Sequence, residues 1–222
     1  MASTNIPIAQ IIHLENRTDR AEHFLEQFSR VGLGYVVYEA TQHTDGALGC
    51  ALSHRRLLES TNPHEVTWVC EDDIAFEIPG VEISKIVTSF LEDPGLDVLV
   101  LAHKTQGPTL PISTEFALTV SSQTTASYVL KPTARKAIVT SFDQSALMLG
   151  LGSPPEVAAI DVHWQRLQAS ELVFCVPRKL VAYQVASYSD VQRRAVDYYG
   201  NSQSVDSPES QVGFHIDHNE ED

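Results

Sequence analysis

Short apolar runs alternate with stretches whose apolar residues recur every three or four positions, and this alternation organises the first half of the chain. "AQIIHL" (9–14) reads as a short buried strand. After it Ala21, Phe24, Leu25, Phe28 and Val31 keep helical spacing, and Gly32 or Gly34 can close the helix. Asp19 with Glu22 three residues on resembles a capping box, with Asp where Ser or Thr is more usual. "YVVYEA" (35–40) predicts a second strand. Residues 45–61 predict a second helix with Leu48, Leu52 and Leu58 inward, and "EVTWVC" (65–70) a third strand. A helix carrying Val81, Ile83, Ile86, Val87, Phe90 and Leu91 follows, then a strand over 96–102. Such alternation predicts an α/β fold, a Rossmann-like, mostly parallel central sheet covered by helices on both faces.

The second half is less regular. "EFALTV" (115–120) and "ASYVLK" (126–131) read as strands around the polar link "SSQTT" (121–125). Pro132 opens a helix to about Phe142, residues 154–170 predict one more helix, and 171–177 a strand. From about Ser187 the apolar periodicity fades, and 200–211 is a polar linker of small residues. The expected organisation is one domain over 1–199 and a polar acidic tail over 200–222; such an end also suits a domain of a larger chain.

Composition narrows the partners. At 222 residues and 43% hydrophobic content the chain can build one large core. A net charge of −14 without a basic stripe argues against a nucleic-acid polymer. A phosphorylated small molecule can still bind if a metal ion bridges it to the protein. No apolar run reaches the roughly 18 residues of a membrane span, and the opening residues lack the pattern of a signal peptide. Cys50, Cys70 and Cys175 form neither a disulfide framework nor a CxxC pair, which fits a reducing, cytoplasmic setting. At least two of the three read as small apolar residues in or near the core.

The stretch that asks for chemistry is "VCEDDIAFE" (69–77), where Glu71, Asp72 and Asp73 interrupt an apolar run. Each carboxylate repels the others, and burying any of them is costly unless a cation compensates. The carboxyl end of a central strand is where open α/β sheets bind ligands. Carboxylate oxygens there suit Mg²⁺ or Mn²⁺. In extended backbone Glu71 and Asp73 project to one side and Asp72 to the other, which makes the first two natural co-ligands. A solvated acidic loop is the plain alternative.

Six blocks in fixed order resemble glycosyltransferase family 25, the lipooligosaccharide- and collagen-type sugar transferases: "IIHLENRTDR", "GALGCALSH", "VCEDDIAFE", "TASYVLKPTARKAIV", "AIDVHWQRL" and "LVAYQVASYSDVQ". They span roughly residues 9–192; Ser127 and Val191 depart mildly from the pattern, and nothing beyond residue 200 aligns. The resemblance implies a GT-A type fold, a nucleotide-sugar donor with a UDP-sugar favoured, a glycan or glycoconjugate acceptor, and Mn²⁺ (or Mg²⁺). It implies donor contacts at Leu14, Arg17, Arg20, Ser53, His54 and Asp72. Asp73 is the first choice for a direct metal ligand; Glu71 ligates too or holds the ribose. A late histidine often completes such a site, and His215 and His218 in "FHIDH" are the candidates, against a tail with incidental histidines. For Arg20 the plain alternative is a salt bridge to Asp19 or Glu22, and for His54 a core or capping role. Gly46 and Gly49 are expected to permit close backbone approach. An inverting reaction needs a carboxylate base, for which Asp161 and Asp190 are the candidates. Trp164 stacks on a sugar face or fills the core. The competing functions are a metal-dependent phosphohydrolase and a non-catalytic nucleotide-sugar binder.

Overall fold

The computed structural model describes residues 6–185 and the strand residues 187–189 and 194–196. The chain starts β1 (Ala9–His13), α1 (Thr18–Val31), β2 (Tyr35–Glu39), α2 (Gly46–Ser60), β3 (Thr67–Glu71). β1 pairs in parallel with β2 on one side and β3 on the other. The chain therefore moves outward to β2 and then reverses across β1, and α1 and α2 pack on opposite faces of the sheet. That reversal opens a crevice at the carboxyl ends of β1 and β3, a topological switch point.

After a turn at Asp72–Asp73 come β4 (Ile74–Phe76), α3 (Gly80–Glu92), β5 (Val98–Thr105), β6 (Thr109–Pro111), β7 (Phe116–Thr119), β8 (Ser122–Leu130) and α4 (Pro132–Gly150). Three short helices follow, α5 (Pro155–Ala158), α6 (Ile160–His163) and α7 (Gln165–Ser170), then β9 (Phe174–Pro177) and β10 (Ala182–Gln184). The strand order is β2-β1-β3-β8-β5-β9-β7-β6, and β10 joins β5 to β4. β1, β2, β3, β5, β6, β9 and β10 run one way, and β4, β7 and β8 the other. The architecture is α/β with a mostly parallel central sheet flanked by helices. A separate hairpin pairs β11 (Ser187–Ser189) with β12 (Arg194–Val196).

Strand alternation sorts the interior into two cores. Ile11, Trp68, Cys70, Leu99, Leu101, Val129 and Cys175 face α1 and α3; Ile12, Val69, Val98, Val100, Tyr128 and Leu130 face α2 and α4. Cys70 and Cys175 are thus core residues, in keeping with the reading of at least two of the three as small apolar residues, while Cys50 is half-buried.

Several local expectations give way. α1 has Arg17 at its N-cap with no side-chain capping bond to the helix, and Asp19 sits in its first turn, so no capping box forms; Gly32, at φ 66°, closes the helix. Val81 is exposed, because α3 turns Ile83, Ile86, Val87 and Phe90 inward instead. α4 continues past Phe142 to Gly150, its buried face extended by Ala146 and Leu149. The polar 121–125 stretch is mostly strand: β8 begins at Ser122 and lies antiparallel between β3 and β5. The single helix expected over 154–170 breaks at Ala159, whose ψ of 147° is extended, and again at Trp164. Trp164 is fully buried against Tyr128, Phe142 and Phe174 and donates to the Ser122 carbonyl at 3.1 Å, so it fills the core.

At Gly80 an added Cβ would lie 2.0 Å from the carbonyl oxygen of Val31, so α3 starts against the end of α1 where only glycine fits. Gly80→Ala is expected to cost about 1–3 kcal/mol, as overpacking does, with each 1 kcal/mol lowering Tm by about 2–4 °C. A melting curve identical to wild type would show that this close approach does not exist.

Candidate active site

Three strand ends and the loops after them wall a cavity of about 360 Å³ at the switch point. β1 and the start of α1 contribute Ile12, Leu14, Asn16, Arg17 and Arg20; the loop after β2 contributes residues 40–44. α2 contributes Cys50, Ser53 and His54, and the β3 end contributes Glu71, Asp72 and Asp73. Leu14, Arg17, Arg20, Ser53, His54, Glu71, Asp72 and Asp73, all singled out from sequence, line this one space.

The acidic triplet divides three ways. Glu71 turns toward α2 and β8: its Oε1 lies 3.2 Å from His54 Nε2 and accepts from Thr125 Oγ1 at 2.8 Å. Asp72 is clamped between His13 Nδ1 at 2.7 Å and Arg20 Nη1 at 2.8 Å. Asp73 meets Arg20 Nη2 at 3.2 Å and accepts from Gln184 Nε2 at 3.0 Å. The antiparallel pairing of β10 with β4 delivers Gln184, and Val185 N–H also donates to the Asp73 carbonyl at 2.9 Å. Arg20 therefore spans Asp72 and Asp73, while Arg17 donates to Asp19.

Three carboxylates crowd the end of β3, where Arg20 spans two of them. The titration behaviour carries the same crowding. Burial, then the charges of Glu71 and Asp72, push the Asp73 carboxyl up to about 7 against the pull of Arg20 and Gln184. Burial also acts to raise Glu71, but hydrogen bonds and charge from His54, Thr125 and Arg20 outweigh it and hold it below the ordinary range. Burial works against the charge of Arg20, and the carboxylates around it more than restore it. Asp73 Oδ1 is buried and accepts no hydrogen bond from the described residues. A buried carboxylate oxygen that accepts from none of the described residues, beside two further carboxylates, fits a divalent cation.

The remaining wall is fixed by packing. Ser53 donates to Gly49 O and accepts from Thr41 N, both at 2.7 Å, which latches the loop after β2 onto α2. A Cβ at Gly49 would stand 3.0 Å from the Thr41 carbonyl oxygen, so this glycine does permit close approach. His54 is buried, stacked on Tyr128 and in contact with its hydroxyl at 3.1 Å. Asp161 lies in the first turn of α6, outside the side chains lining the cavity; its Oδ2 accepts from Thr124 N at 3.4 Å. Thr124 is held at φ 74°, unusual for a branched residue, and its hydroxyl donates to Ala102 O at 2.5 Å. Burial first, then the charge of Glu71, raise the Asp161 carboxyl. Asp190, His215 and His218 lie outside the described residues.

His13, Thr125, Tyr128 and Gln184 belong to the site and were not singled out from sequence. His13 sits inside "IIHL" and Gln184 inside "LVAYQVASYSDVQ", so both lie within blocks that carry the resemblance. Cys50 stands four residues before His54 on α2, a spacing that puts both on one face.

No family model matches the sequence, and no curated protein does either. Among solved structures the fold is similar to a glycosyltransferase involved in the glycosylation of the major capsid of PBCV-1, at 16% identity and TM-score 0.38, over 68% of this chain and 74% of that one. It is also similar to the inositol-1-phosphate CTP transferase from T. maritima, at 15% identity and TM-score 0.41, over 81% and 70%. Mouse xyloside xylosyltransferase 1 matches at 9% identity and TM-score 0.39, over 74% and 69%. These neighbours are glycosyltransferases and nucleotidyltransferases by name, and at such distances they assign no residue here a role.

Proposed function

We propose that this chain is a metal-dependent glycosyltransferase of GT-A type that moves a sugar from a nucleotide-diphosphate donor, a UDP-sugar foremost, to a hydroxyl of a glycan or glycoconjugate. The observation that carries this reading is the switch-point cavity with three crowded carboxylates and an Asp73 Oδ1 that accepts no hydrogen bond from the described residues. Its volume of about 360 Å³ suits a small-molecule ligand. An anionic diphosphate entering an anionic pocket needs a cation between the two.

Asp73 and Glu71 would hold Mn²⁺ or Mg²⁺. The bound ion supplies Lewis-acid neutralisation of the charge that grows on the leaving diphosphate. Asp72 and His13 hold Arg20 against Asp73, so the guanidinium is fixed before the donor arrives. Leu14, Arg17, Ser53 and His54 shape the donor side of the cavity. Asp161, or else Asp190, takes the proton of the attacking hydroxyl.

Calorimetric titration with UDP and GDP, each with and without Mn²⁺, tests the reading. Nucleotide binding that requires Mn²⁺ is expected, tighter for UDP. Failure of both nucleotides to bind in a metal-dependent way removes the transferase assignment.

His215 and His218 are proposed as the late ligands. A chain ending at Gly200 is then expected to weaken Mn²⁺ binding by more than the roughly 10–100-fold that loss of a mere outer partner costs. Unchanged Mn²⁺ affinity and turnover would take both histidines out of the site.

A further inference from the structure

Cys50 and His54 leave α2 on the same face, one turn apart, and that face meets Glu71 at the end of β3. A thiol sulfur, an imidazole nitrogen and a carboxylate oxygen from these residues lie within 4.8 Å of one another. All three residues line the switch-point cavity. We propose that Cys50, His54 and Glu71 form a site for a borderline-soft divalent cation, Zn²⁺ foremost, with its remaining coordination position open to the cavity.

The donor set carries the choice of ion. Sulfur and imidazole nitrogen select Zn²⁺ over Mg²⁺ or Mn²⁺, which prefer oxygen. Three protein ligands beside open space match zinc sites that bind a water or a substrate atom, whereas purely structural sites are closed by four. The support behind the ligands is already built. Tyr128 anchors His54 at Nδ1, 3.1 Å away, and leaves Nε2 directed at Glu71; Thr125 donates to Glu71 Oε1 at 2.8 Å. Anchored ligands of this kind hold the ring plane and orientation that a metal needs. The Cys50 thiol loses its proton to solvent as the ion binds, so a sulfur–metal bond replaces a sulfur–hydrogen bond with no change of oxidation state. Asp73 Oδ1, the oxygen that marks the proposed hard-cation position, is outside this set. The proposal stands apart from the transferase reading and shares Glu71 and the donor-side His54 with it.

Reduced, metal-free full-length protein titrated with Co²⁺ provides the test. A thiolate-to-cobalt charge-transfer band is expected, erased when Zn²⁺ is added. Cys50→Ser with a native circular-dichroism spectrum should lose the band, and Tyr128→Phe should weaken Co²⁺ binding by about 10–100-fold. A wild-type protein without the band overturns the site, as does a band that persists in folded Cys50→Ser. Should Cys50→Ser not fold, X-ray absorption of the wild-type zinc complex decides: a first shell without sulfur overturns the proposal. These readouts are separate from UDP binding with Mn²⁺. Either assignment can fail while the other stands.

Discussion

Asp73→Asn is expected to slow transfer by about 10²–10³-fold and, at neutral pH without metal, to raise the melting temperature. The two effects have one cause. The Asp73 carboxyl is pushed from 3.8 up to about 7, first by burial and then by Glu71 and Asp72. The folded state therefore binds this proton more tightly than the unfolded chain does. The stability Asp73 contributes is complete below about pH 4 and is lost as pH rises through about 7. Asparagine keeps the shape and stays neutral, so the variant should gain on wild type across that interval. Each 1 kcal/mol gained raises Tm by about 2–4 °C. The same charge is what a cation needs, and losing one such electrostatic stabiliser costs about 10²–10³ in rate. Mn²⁺ should raise the Tm of wild type by mass action and leave the variant nearly unmoved. Near-normal turnover of the variant at limiting Mn²⁺ would sink the metal assignment. A variant that melts earlier than wild type at pH 7 would make Asp73 a structural partner of Arg20 instead.

Much of this site was legible because its residues come from short, regular segments. "AQIIHL" and "EVTWVC" are strands, the helices between them are amphipathic, and the acidic triplet falls at the β3 end where the switch point lies. What escaped depends on distant pairings. β8 begins with polar Ser122–Thr125, which carry no apolar alternation because Gln168, Ala102 and Glu71 satisfy their polar groups. Its antiparallel place between β3 and β5 sets Thr125 and Tyr128 beside Glu71 and His54, and no local pattern encodes that. Gln184 reaches Asp73 only through the three-residue pairing of β10 with β4. The capping box at Asp19 fails for a competing reason: Arg17 takes the Asp19 carboxylate, and the helix starts without a side-chain cap. The break at Ala159 was invisible because 154–170 keeps helical spacing, while Ser145 captures the Ala158 carbonyl at 2.5 Å and Trp164 is pinned to β8.

That break bears on the second large effect. Because the chain restarts at Ile160, Asp161 lies in the first turn of α6 with its carboxylate against Thr124 N. Asp161→Asn is expected to slow transfer by about 10²–10⁴-fold while donor affinity stays unchanged, since a general base acts on the acceptor hydroxyl in the transition state. The direction of its titration suits that work: burial and Glu71 raise the carboxyl toward the range where a base is effective, against hydrogen bonds from Thr124 and the start of α6. The donor-saturated rate of wild type should accordingly rise with pH through a carboxylate limb displaced upward, a limb the variant lacks. A structural role forecasts otherwise. If Asp161 serves only to anchor α6 on β8, the variant loses stability and keeps its turnover per folded molecule. The raised carboxyl argues against a large loss, because its folded-state stabilisation is already fading as pH rises through that raised value. Melting temperature and donor-saturated rate, measured on the same preparation, separate the two. A slow enzyme with native melting and native UDP affinity identifies Asp161 as the base; an early-melting enzyme at full speed transfers the role to Asp190 or to no carboxylate of this chain.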